Sequence, residues 1–153
     1  MSMQSEAGSG LTERQRWADI ARGMQQDLAA YAGLRDLLQT QFHAALRHDA
    51  AAMEEVARQI AAQVQQLDGT RQQRSLHARA LLPAGAALSM TALFSLLQPP
   101  LQQQLQALWA QLQVRVQECK ACNLRNCQLI MEQAEVMRSV IAGSSQPDIY
   151  VPF

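Results

Sequence analysis

Residues 119–130 read CKACNLRNCQLI, three cysteines within nine residues, two of them spaced C-x-x-C. Whether this stretch is a ligand cluster or the inside of a helix decides the kind of chain it belongs to. Zinc takes four ligands, commonly from two knuckles. There is no second C-x-x-C here, and His43, His48 and His77 lie far away in sequence. Iron–sulfur clusters also want four thiolates, and a redox C-x-x-C needs a βαβ setting. The cysteines therefore read as small apolar residues that pack inside a helix.

That helix is long. From Leu101 to about Ala142, turning about 100° per residue, one arc collects Leu101, Leu105, Leu108, Leu112, Val116, Cys119, Asn123, Asn126, Ile130, Ala134, Met137 and Ile141. Only the two asparagines in it are polar. A buried amide left unpaired costs on the order of 1–3 kcal/mol, so each needs a partner. Asn123 and Asn126 either fix register against neighbouring helices, as a single Asn does in coiled coils, or hold the backbone of a binding partner. Beside the arc, Cys122, Leu129, Val136 and Val140 widen the apolar surface. A surface helix apolar over so wide an arc is either doubly buried, for instance in a homodimer, or a docking face for another helix.

Working back along the chain, the same 3.6-residue period appears twice more. Trp17, Ile20, Met24, Leu28, Tyr31, Leu34, Leu38, Phe42 and Ala45 mark a first helix, opened by a capping box of Thr12 and Gln15. Met53, Val56, Ile60, Val64 and Leu67 mark a second, opened by Asp49 and running to Pro83. The turn between them is so short that they must be antiparallel neighbours. Ser89 caps a short connecting helix, MTALFSLLQ, and the Pro99–Pro100 pair opens the last helix. Gly143 is expected to stop it.

Composition agrees. Ala, Leu and Gln make up about two-fifths of the chain, which favours helix. The expectation is an all-α, elongated antiparallel hairpin plus a third long helix, in a three-helix, coiled-coil-like bundle. Residues 1–10 form a disordered leader, 11–142 one helical domain and 143–153 a flexible tail. Thirteen basic and thirteen acidic residues balance, with no basic stretch, which argues against nucleic acid. The uncharged run of residues 80–98 is broken by Pro83 and Gly85 and reads as a buried connection, not a membrane span. The leader has no apolar run, and an odd cysteine count in such a chain suits the reducing cytosol. No hydrolase, phosphate-loop or H-E-x-x-H pattern occurs, so neither catalysis nor a cofactor is expected. The tail, PDIYVPF, sets Tyr150 between two aliphatic residues, as in short linear motifs.

The order of these parts resembles the FlgN family of flagellar export chaperones. The family pattern is a long hairpin, an apolar connection (here SMTALFSLLQPP), and a last helix with an L-N-x-x-N-x-x-L-like signature. CNLRNCQLI supplies Asn123, Asn126, Leu129 and Ile130, with Cys122 where the family has Leu. Pro147 to Tyr150 match a Pro-x-Leu-Tyr-like motif after the helix. The resemblance implies a cytosolic, non-enzymatic protein that binds the C-terminal helices of the hook–filament junction proteins FlgK and FlgL and delivers them to the export gate. The client would lie on Asn123, Asn126, Leu129, Ile130, Val136, Met137, Val140 and Ile141, with Tyr150 docking on the gate. The alternative is a coiled-coil adaptor or homodimer with no secretion client.

Overall fold

The structure, a computed structural model, describes residues 10–145. Four helices follow one another: α1 (Glu13–Leu46), α2 (Ala50–Leu81), α3 (Met90–Phe94) and α4 (Pro99–Ser145). No strand occurs among the described residues. At about 1.5 Å per residue α1 spans roughly 50 Å and α4 roughly 70 Å.

Each start is capped as its sequence dictates. Thr12 accepts from the Gln15 backbone while the Gln15 side chain accepts from Thr12, closing the capping box. Asp49 accepts from Ala52 N at 3.0 Å, and Ser89 accepts from Ala92 N at 3.3 Å. The hairpin turn is made by His48 at φ 54°, in the left-handed region, which lets Asp49 N donate back to Ala44 O at 3.0 Å. The neighbouring Ala44 and Ala45 are fully buried, because only small side chains fit where two helices meet so close to their turn.

Helix α1 is the centre of the molecule. Both α2 and α4 pack along it, yet no Cα of α2 comes within 8 Å of a Cα of α4. The expected trio is therefore open along one side. Helix α3 plugs one end: Leu93 and Phe94, fully buried, join Ile20, Met24, Ala78, Leu105 and Leu112. Phe94 meets Trp109 edge-on, centroids 6.4 Å apart. Truncating a phenylalanine so placed costs about 3–5 kcal/mol. A second apolar cluster, Leu34, Leu38, Leu67 and Cys119, lies nearer the hairpin turn. Helix α4 departs from expectation at its end, where it runs through Gly143 to Ser145. A glycine near an exposed helix terminus costs only about 1 kcal/mol, too little to stop a 47-residue helix. The uncharged run 80–98 is split between the end of α2, a non-helical link and α3. No helix among the described residues is long and apolar enough to cross a membrane.

Two buried polar groups tie α1 to α2. Asp27, 2% exposed, binds Arg74 at 2.9 Å, and the Arg74 guanidinium lies 5.5 Å from the Trp109 ring centre on α4. Burial pushes the Asp27 carboxyl above its usual range, and Arg74 only partly offsets this. His77 is buried beside Arg16, whose guanidinium lies 3.3 Å from Nδ1. Only the neutral ring accepts that bond. Asp19, at 3.7 Å from Nε2, is too distant for a hydrogen bond. Burial, then Arg16, holds the His77 ring below its ordinary value.

The sign of the pH dependence follows. For a base whose folded pKa is depressed, the unfolded chain takes up the proton first on acidification. The His77 contribution is complete above its ordinary value of 6.5 and is lost as pH falls below it. Asp27 works the other way, since the folded state protonates first. Replacing His77 with Gln should therefore flatten the fall in melting temperature between about pH 7.5 and 5.5. A variant with the wild-type slope would contradict this assignment.

Candidate partner-binding surface

Helices α1 and α4 run parallel, joined by three rungs. Cys119 Sγ donates to Tyr31 O at 3.4 Å, Asn126 Nδ2 to Leu38 O at 2.7 Å, and Gln133 Nε2 to Ala45 O at 2.8 Å. Each rung joins residues 88 positions apart, and successive rungs are seven residues apart on both helices. This is a heptad ladder, the geometry of a left-handed coiled coil. Asn126 is its centre and is fully buried. Its amide also donates to Gln41 Oε1 at 2.9 Å, and its oxygen accepts from Arg125. The Arg125 guanidinium stacks 3.9 Å from the centre of the Phe42 ring. Arg35 and Glu118 add an ion pair across the same interface at 3.2 Å.

The ladder ends where α1 ends. Gln133 is level with the hairpin turn, and α4 continues twelve residues beyond it to Ser145, an overhang of roughly 18 Å. This overhang is apolar and exposed: Val136 64%, Met137 58%, Val140 59% and Ile141 60%, with Met131 at 68% just before it. Leu129 and Ile130, half-buried, form its root. Arg138 pairs with Glu135 at 2.8 Å on the helix itself, so its charges do not cover the apolar face. Single exposed apolar residues are ordinary, but a contiguous set marks an interaction surface.

The open side between α2 and α4 is a trench floored by α1. It holds two hollows, of roughly 620 and 260 Å³, that meet at Tyr31 and Val116. Ile60 and Val64 form one wall of the smaller hollow and Val116 and Asn123 the other. Burial, with Asp27 nearby, raises the Tyr31 hydroxyl above its ordinary value.

The two asparagines thus part company. Asn126 takes the register role and leaves no surface for a partner. Asn123, expected on the core arc, is exposed at the trench rim. Leu129, Ile130, Val136, Met137, Val140 and Ile141 share the root and faces of the overhang. Tyr150 lies outside the described residues. The cysteines do not converge on a ligand set: Cys119 is buried, Cys122 half-buried and Cys127 exposed. Among the described residues no three His, Cys, Asp or Glu side chains gather as a metal would require. Burial, then the neighbouring Cys122, pushes the Cys119 thiol up, away from the reactive thiolate.

Two functional features escape a wheel drawn at 100° per residue. Gln133 carries no apolar mark, although it stands seven residues from Asn126 as Asn126 does from Cys119, which is a legible signal. Tyr31, read only as a core residue, is where the two hollows meet.

Replacing Asn126 with Ala removes the middle rung. It should lower stability by about 1–3 kcal/mol and shift the urea midpoint at an unchanged slope. A variant as stable as wild type would show that the ladder does not hold α4 in register.

The FlgN protein family model matches residues 18–146. No curated protein and no solved structure matches the chain. The matched span takes in nearly all of α1, the whole of α2 and α3, and α4 with its ladder and overhang. A match over most of the chain shows that this chain belongs to the FlgN family of flagellar export chaperones.

Proposed function

We propose that the chain works in the cytosol as the escort of the hook–filament junction proteins FlgK and FlgL, holding their C-terminal helices until export. The observation that carries this reading is the overhang of α4, an apolar helix end on which Val136 and Met137 are exposed among the described residues, with Met131 exposed just before it. An amphipathic client helix laid on it would bury its own apolar stripe, which is the surface it would otherwise use to assemble too early. Asn123 and Ile130 would bound the same docking surface, with Leu129, Val140 and Ile141 extending it. The reading needs no catalytic group, metal or nucleotide. Tyr150 would engage the export gate, a role that rests on its motif alone. Attached a few residues beyond α4, it would let one molecule hold client and gate together.

The competing reading is a homodimer through the same apolar face, without a client. The two separate in one titration. Binding of the FlgK and FlgL C-terminal segments should be saturable and one-to-one. The double variant Val136→Asp with Met137→Asp should weaken it about 100-fold, the scale of a buried anchor residue. Because both side chains are exposed, the melting temperature should hardly move. If neither segment binds and light scattering shows a dimer that the double variant dissociates, the homodimer reading replaces this one.

A further inference from the structure

We infer that the partner helix does not stop at the overhang but continues into the trench between α2 and α4, as the fourth helix of a bundle. The partner is an amphipathic helix with an acidic flank. This inference rests on the client reading above and names where and how that client binds.

The first ground is the architecture. Helices α2 and α4 both pack along α1 with no close backbone approach to each other; Arg74 bridges them to Trp109 at one level, and the rest of the gap between them is the room a fourth bundle helix would take. That position is lined by apolar groups: Tyr31 and Leu34 below, Val64 on α2, Val116 on α4. Val64 is 49% exposed although it belongs to the apolar stripe of α2.

The second ground is continuity. Beside the ladder of Cys119, Asn126 and Gln133, α4 carries a second heptad series, Val116, Asn123, Ile130 and Met137. Val116 and Asn123 line the trench, and Met137 lies on the overhang, 58% exposed. One straight helix on this series would touch both regions. From Trp109, which walls the larger hollow, to Met137 the track is roughly 40 Å long.

Charge gives the third ground. No carboxylate lines either hollow, whereas Arg71, Arg74 and Lys120 do. Asp68 answers Arg71 at 2.7 Å and Asp27 answers Arg74 at 2.9 Å. Lys120 is left to set the sign of the rim. A helix with Asp or Glu beside its apolar stripe fits this rim, and a basic one does not.

The test uses the full chain and the FlgK and FlgL C-terminal segments as probes. Val64→Glu should weaken binding at least tenfold, and Lys120→Glu several-fold. Exchanging the segment's acidic flank for lysines should restore affinity toward Lys120→Glu and reduce it toward wild type. A merely structural effect would not show that reversal. If the Val136→Asp, Met137→Asp variant loses binding while Val64→Glu and Lys120→Glu bind as wild type does, the trench inference is overturned and the overhang reading stands. If wild type binds neither segment, both fall. If Val64→Glu instead dissociates a homodimer, the trench belongs to a second copy and this inference is wrong.

Discussion

Three hydrogen bonds at a constant offset govern where everything else in this molecule lies. Cys119, Asn126 and Gln133 each reach a carbonyl of α1, and the offset never changes along the interface. A slip of one residue would turn the ladder away from α1, and a slip of a heptad would bury a rung against the wrong carbonyl. The central rung is the costly one to break, because Asn126 is a fully buried amide. Apolar packing alone would tolerate α4 at several heights along α1. The ladder selects one, and with it how much of α4 projects beyond the hairpin turn.

What projects is a helix end that runs past the hairpin turn. Isolated helices of this length are marginal in water, so the overhang depends on continuity with the packed part of α4 and on helix-forming residues such as Ala134, Glu132 and Met137. Val136 and Met137 on it are largely exposed. A partner that covers them gains their burial without displacing any packed core, and it meets a helix already formed. That is pre-organisation, which lowers the entropic cost of docking. The trench follows from the same arrangement, since α1 spends two faces on α2 and α4 and keeps a third open.

Much of this was legible in the residues. The capping box at Thr12, the caps at Asp49 and Ser89, and the apolar periods of three long helices follow from local rules that the fold does not override. The separation of the two asparagines was not legible at 100° per residue, where both fall on one arc. The two stand about 60° apart around the helix, so a neighbour on one flank covers Asn126 and leaves Asn123 at the trench. The openness between α2 and α4 was hidden for another reason. Val64 and Val116 look like core residues in any periodicity, and only the tertiary arrangement shows that no neighbour covers them fully. Gly143 misled because its helix penalty is small beside the momentum of a long, well-formed helix.

The account's central claim is that the stretch of α4 beyond the hairpin turn is where a partner helix lies. Amide hydrogen exchange, compared for the protein alone and saturated with a FlgK or FlgL C-terminal segment, addresses it most directly. The account predicts fast exchange across residues 134–145 in the free protein and marked protection of the same amides in the complex. Unchanged exchange there, with new protection confined to α2 or to the α3 end of the molecule, would contradict it.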